Sequence, residues 1–445
     1  MTKRHQYVKA PSQEKQRKCP KAKDLFGPPV DVKPVNEVEG PEDLILHCMP
    51  AFGAAYVRRI YQILDKAIGR GVPLIISVAG PVTVSNQHRA WLIPLLETGW
   101  VAYITTTDAA CYHDGHDSLR AYRERPIHEV SIEGKDEAYR DAGIIRVTDT
   151  GFEESVLYDQ DRFFTALLRQ PELQRKMTGT EFRHLVGKYY QAQEKAHGIK
   201  PGLLSTCYDL DIPVFVGAPG DGSAFLNSVK LWALAQLGVI DHKFDIDVHA
   251  EVFESCAYHY WGLTQGVKQL AILILGGGVP KNFSLQPEPT LSQIFMLPDI
   301  RGYDYDVQIV GAPVTDGSLT SCKGQEAHTW GKVSRAALAS TVESYMTDYS
   351  TVMPLIAWAL LEKRKRVIEQ YEGRSSHFPV REQDKGYLCG YATRPPRLFN
   401  NRAKLTKALF DRIGQPDHIS KIKGTFDFPL QLLARAKGGG MRDDI

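Results

Sequence analysis

Four short, largely apolar runs, each leading into a loop that contains glycine, constrain this chain more than any other feature. They are Pro73 to Ala79, Ile212 to Val216, Gln269 to Leu275 and Asp306 to Val310. A strand that is apolar at successive positions, rather than alternate ones, is covered on both faces, as in a parallel sheet of an α/β protein. Trp100 to Thr106 reads the same way, and Gly143 to Val147 is a further strand. Segments with helical spacing lie between them. In Ala54 to Ile68, Val57, Ile60, Tyr61, Leu64 and Ile68 fall on one face. His88 to Leu96, Asp161 to Leu168, Glu181 to Ala196, Ser223 to Leu237 and Tyr349 to Ile368 are further helices. The alternation predicts an α/β, doubly wound, mostly parallel sheet with helices on both faces.

Residues 1–40 are rich in Lys, Gln and Pro and read as a flexible arm. Residues 41–372 carry the alternation. Residues 373–445, where Pro, Arg and Lys are prominent, read as an extension that wraps the core or stays partly loose.

A net charge of +2 argues against a nucleic-acid partner, which needs a strong basic excess. No run of about 18 apolar residues suggests a membrane span. The polar, basic N-terminus lacks the apolar stretch of a secretory signal. Seven cysteines stand singly without a CxxC pair, so neither a zinc site nor a disulfide framework is expected. A reducing cytoplasm is the expected compartment.

In open α/β sheets, ligands sit beyond the carboxyl ends of the strands. Four loops occupy that place: Thr105 to Asp114, Gly217 to Ser223, Gly276 to Asn282, and Gly311 to Lys332. The run Gly276-Gly277-Gly278 would let bare backbone approach a pyrophosphate or ribose, although a tight turn explains it equally well. Asp221-Gly222-Ser223 is, on its plainer reading, a helix N-cap. Cys111, His113, Asp114, His116 and Asp117 are of metal-ligand type, but crowding on one short loop makes joint ligation awkward, and no metal is expected. Trp330-Gly331-Lys332 would open or precede a helix, and periodicity alone gives Lys332 no more than the usual solvated place of a lysine.

Taken together, these loops resemble the deoxyhypusine synthase family. The carriers are Gly311-Ala312-Pro313-Val314-Thr315-Asp316-Gly317-Ser318, Glu326-Ala327-His328-Thr329-Trp330-Gly331-Lys332, and Ile274-Leu275-Gly276-Gly277-Gly278-Val279-Pro280-Lys281. The strand Ile212 to Phe215 and the pair Thr106-Thr107 add to it, and the likeness runs from about residue 40 to 371. The resemblance implies a Rossmann-like sheet of the family's type and an NAD cofactor. It places Ser85, Thr106, Thr107, Asp221, Gly276, Gly277, Gly278, Ala312 and Asp348 at that cofactor, Lys332 as the catalytic lysine and Trp330 beside the substrate. In that family NAD oxidises spermidine, and the butylamine half passes to the lysine as an imine before reaching an acceptor amine. A lysine does this only when neutral, which a dry pocket favours over its usual pKa of about 10.4.

Asp316 and Glu326 remain from the carboxylates that grip the polyamine. Elsewhere the pattern departs: His113 stands for a glutamate, Asn282 for a histidine, Leu226 and Leu319 for aspartates, and Val82 lies near a missing asparagine. Leucine supplies no counter-charge for a buried ammonium. The expected function is therefore aminobutyl transfer from a diamine or polyamine to a small amine, such as homospermidine formation. The alternatives are deoxyhypusine synthesis on a translation-factor lysine and a non-catalytic NAD-binding partner subunit. The family also implies a homo-oligomer, dimer or tetramer, with active sites at its interfaces.

Overall fold

The structure is a computed structural model and describes residues 26–27, 29–80, 82–120, 125–373 and 381–427. Most of the expected arm (residues 1–25 and 28) lies outside the described residues, as do residues 374–380 and 428–445 of the expected extension.

Six strands form the central sheet: β1 (Leu74–Val78), β2 (Val101–Thr106), β3 (Val214–Val216), β4 (Ala271–Leu275), β5 (Tyr305–Val310) and β6 (Val342–Met346). Their order is β6-β5-β4-β1-β2-β3, and every pairing is parallel. This is the doubly wound order, and the direction of winding reverses between β1 and β4. All five residues of β1 and of β4 are buried. Leu74, Ile76 and Val78 point into one core with Leu273, Leu275, Val307 and Ile309. Ile75 points into the other, with Ile272, Ile274, Tyr103 and Phe215. Burial of successive residues on opposite faces is why these runs are apolar throughout.

The helices used below are α1 (Phe52–Gly69), α2 (Asp108–Arg120), α3 (Ser155–Leu167), α4 (Gly179–His197), α5 (Leu203–Asp209), α6 (Ser223–Gln236), α7 (Val248–Thr264), α8 (Gly278–Leu285), α9 (Gly324–Thr329), α10 (Met353–Glu372) and α11 (Leu398–Ile413). A capping box starts α4: Thr178 accepts from the Glu181 amide, and Glu181 accepts from the Thr178 amide. Asp247 caps α7. In the C-terminal extension, α11 lies on α7 and buries Leu398, Phe399 and Leu409. Phe399 stacks on His184 of α4 at 3.6 Å between ring centres. Among the described residues no helix is long and apolar enough to cross a membrane.

Several local expectations change. Ile144–Val147 is a strand, but it belongs to a separate antiparallel sheet with His128–Glu129 and Thr150–Glu153. The segment Thr105 to Asp114 is mostly helix, because Asp108 begins α2. Trp330 to Lys332 follow α9 rather than open a helix, and Trp330 is its C-cap.

Candidate active site

The reversal point of the sheet is built from the ends of β1 and β4. Gly276 and Gly277 have φ of +67° and +64°. A β-carbon on Gly277 would lie 2.1 Å from Cβ of Ala79, so the two loops approach as closely as backbone permits. The Tyr349 hydroxyl donates to the Ala79 carbonyl at 3.1 Å, and its ring covers Gly276. Asp348, its neighbour, accepts from the Ser350 amide at 2.7 Å and is exposed. Ser85 lies half-buried in the loop that leaves β1, and Ala312 in the loop that leaves β5. These residues share the carboxyl-end crevice where doubly wound sheets bind ligands.

On the β2–β3 side, Thr106 is fully buried and its hydroxyl oxygen has no hydrogen-bond partner among the described residues. The hydroxyl of Thr107 accepts from the Ala110 amide at 3.4 Å. Asp221 does not cap α6, contrary to the plainer sequence reading. The carboxylate that receives the Ala224 amide, at 2.8 Å, is Asp108 from α2. A β-carbon on Gly222 would collide with Asp108, which is why a glycine sits there. Asp221 is left exposed on a turn beside the crevice.

The cluster on α2 is spent on structure. Asp114 accepts from the Leu203 and Leu204 amides, both at 2.7 Å, and so caps α5. Asp117 pairs with Arg89 at 2.9 Å. His113 and His116 face each other with ring nitrogens 3.0 Å apart, and Phe152 packs against His116. Burial lowers their pKa values to about 4 and about 3, so both are neutral near pH 7. Among the described residues, no group of three or more His, Cys, Asp or Glu is placed to hold a metal ion.

Helix α8 connects the glycine turn to the lysine. One turn into it, Asn282 Oδ1 lies 3.3 Å from Lys332 Nζ. Lys332 itself is not at the carboxyl end of the sheet. Its carbonyl accepts from the Tyr303 amide at 3.0 Å, at the opposite end of β5. Its side chain turns to Asn282, and the amine lies 5.9 Å from the centre of the Trp330 ring. Burial lowers the Lys332 pKa below the usual value, while Cys322 and Glu288 act the other way. Asn282 also lines a cleft of about 670 Å³ with Gly217, Ala218, Gly278, Leu319 and Thr320. That cleft brings the β3 loop, the glycine turn and the lysine's partner together.

Asp316 and Glu326 stand apart from the amine. Asp316 accepts from the Ser318 amide and the Ser321 hydroxyl, and is exposed. Glu326 is exposed on α9. Leu226 and Leu319 are exposed, 53% and 39%.

Sequence reasoning missed a buried polar layer beneath the cleft. Lys281, 1% exposed, donates to Gln308 at 2.7 Å and to the Cys322 carbonyl. Asp306 is buried beside it with Oδ1 unpartnered among the described residues, and burial raises its pKa to about 6. The signal was present: Asp306 and Gln308 alternate within an otherwise apolar strand. Glu288, buried next to Gly331, offered no such signal between its two prolines.

A doubly wound sheet with a glycine turn at its reversal point, and a half-buried lysine bonded to an asparagine that lines the adjoining cleft, defines the class. The deoxyhypusine synthase family model matches residues 45–360. A deoxyhypusine synthase-like protein of Nostoc punctiforme is 33% identical over 325 residues, covering 72% of this chain and 80% of the relative. One from Thermosynechococcus vestitus is 31% identical over 366 residues, 80% and 88% of the two chains. A Methanosarcina mazei protein named probable deoxyhypusine synthase 2 is 26% identical over 298 residues, 66% and 78%. This chain belongs to the deoxyhypusine synthase family.

Proposed function

We propose that the protein transfers an aminobutyl group from a diamine or polyamine to a small amine acceptor, through an imine on Lys332 and with NAD as cofactor. The observation that carries this reading is the setting of the amine. It is half-buried, held below its usual pKa, and bonded to a neutral amide rather than a carboxylate. Among the described residues no carboxylate at hydrogen-bond distance fixes it as an ammonium, and a neutral amine is the form that attacks.

The crevice suits a dinucleotide. The Gly276–Gly277 turn presents backbone where a β-carbon has no room, the Thr106 hydroxyl is buried without a partner, and Asp221 is uncommitted to the α6 cap. Gly276, Gly277, Gly278, Thr106, Thr107, Ser85, Asp221, Ala312 and Asp348 would hold NAD, which when bound accepts and returns a hydride. Trp330 would cover the substrate chain.

A small-molecule acceptor is favoured over a protein lysine because the ammonium-gripping acids of the family pattern are eroded. His113 is neutral, and Leu226 and Leu319 carry no charge. A second copy completing the site belongs to the same proposal; Val314, Leu319 and Trp330 are exposed apolar side chains of the segment that ends at Lys332. The test is Lys332→Ala: transfer from every amine donor should vanish while NAD affinity holds. Transfer at the unchanged rate would refute the assignment.

A further inference from the structure

Glu288 is 5% exposed and sits in a single helical turn between Pro287 and Pro289. One of its carboxylate oxygens, Oε2, is buried with no hydrogen-bond partner among the described residues. A buried acceptor left unmade is costly, and a nitrogen of the reacting adduct would supply the partner. That oxygen packs on Gly331, where a β-carbon would stand 2.7 Å from it. Gly331, at φ +80°, is the residue immediately before Lys332. The carboxylate therefore lies against the root of the lysine while the amine is turned to Asn282.

The pair acts on itself electrostatically. Burial raises the Glu288 pKa and Lys332 opposes that shift; burial lowers the Lys332 pKa, and Cys322 and then Glu288 oppose it. Both shifts favour the uncharged forms, an amine next to a carboxylic acid. The other charged groups nearby are Lys281, which Lys332 repels, and Glu326, which acts on Lys281 and Cys322. On the Glu288 side the further partner is the Ser292 hydroxyl.

Resting on the reading of Lys332 as the imine-forming residue, we propose that Glu288 carries the proton between the attacking lysine nitrogen and the departing nitrogen. The neutral amine of Lys332 adds to the carbon of a protonated donor imine, forming a new C–N bond and placing a positive charge on the lysine nitrogen. The Glu288 carboxylic acid gives its proton to the other nitrogen of the diamine adduct. The carboxylate so formed takes one proton from the lysine nitrogen. The C–N bond to the other nitrogen breaks with its electron pair going to the departing amine, and the lysine nitrogen's lone pair forms the new C=N bond. Glu288 ends as the acid it began as, and no oxidant or reductant is used in this exchange. With an aldehyde in place of the imine, Glu288 protonates first the adduct oxygen and then the hydroxyl that leaves as water, regaining both protons from the lysine nitrogen.

The experiment uses the full chain and butanal as probe. Borohydride-trapped adduct on the Lys332 peptide is followed over time across the neutral to alkaline range, with NAD affinity measured alongside. The unchanged protein should give a bell-shaped profile that needs a neutral lysine and a protonated Glu288. Glu288→Gln should trap roughly a hundredfold more slowly and lose the alkaline fall, as expected for a general acid removed. Glu288→Asp should keep the bell at lower height, and NAD affinity should hold in both. A Glu288→Gln rate and profile equal to the unchanged protein would overturn the inference while leaving the lysine reading intact. Parallel loss of trapping and NAD affinity would make Glu288 structural and also overturn it. No adduct on the unchanged protein would remove the lysine reading itself, and this inference with it.

Discussion

Lys332 Nζ lies 3.3 Å from Asn282 Oδ1, and Asn282 is one helical turn from the glycine run at the reversal point of the sheet. A single helix, α8, thus ties the glycine turn to the lysine proposed as nucleophile. Its asparagine accepts a hydrogen bond without adding charge. Asn282→Asp would add one. An opposite charge at that distance favours the ammonium, so the folded-state pKa of Lys332 should rise. The pH at which Lys332 becomes reactive should move upward by about one unit or more. The pH profile of borohydride trapping reads this, and an unmoved profile would contradict it.

Gly277 has both a left-handed φ and a neighbour, Ala79, where its β-carbon would go. Gly277→Ala should lose about 1–3 kcal/mol in urea unfolding, from strained backbone alone. NAD affinity should fall with it, because β1 and β4 must part. Gly311→Ala is the control, since its β-carbon would meet nothing within 4 Å.

Asp108 caps α6, and Asp221 is the proposed cofactor contact. Asp108→Ala removes the acceptor for the Ala224 amide and should cost about 1–2 kcal/mol of stability. Asp221→Ala should leave the unfolding midpoint unchanged and weaken NAD binding. A stability loss at Asp221 equal to that at Asp108 would return Asp221 to the role of a cap.

Asp306 makes stability depend on pH in an unusual direction. Burial raises its folded pKa from 3.8 to about 6. A raised value means the protonated side chain favours the folded chain. That contribution is complete below about pH 4 and is lost as pH rises through about 6. Between pH 7 and pH 5 the unchanged protein should therefore gain about 1–2 kcal/mol relative to Asp306→Asn. Urea midpoints at the two pH values test it, and equal slopes would refute it.

The sheet was legible because its strands are buried on both faces, so apolar runs mark Leu74–Val78 and Ala271–Leu275 without ambiguity. Edge strand Val342–Met346 was not. Its residues are half-buried or exposed, and Val-Glu-Ser-Tyr-Met carries no continuous apolar signal. Strand Ile144–Val147 was found but could not be assigned to its own sheet, since pairing is a long-range property. The start of α2 was misread because Thr105-Thr106-Thr107 continues a strand and Asp108 begins a helix with no break between them. In the candidate site, the glycine turn and Lys332 were named from motif resemblance. Their connection through Asn282 was not, nor was Glu288, because burial and an unpartnered oxygen are visible only after folding.

The most direct test of the account is a mass-spectrometric trap. The full chain is incubated with NAD and, in turn, putrescine, spermidine, cadaverine or agmatine, then reduced with borohydride. A mass increase on the Lys332 peptide that requires NAD and one of these amines is the predicted result. An adduct on another lysine, or none with any amine despite tight NAD binding, would contradict it.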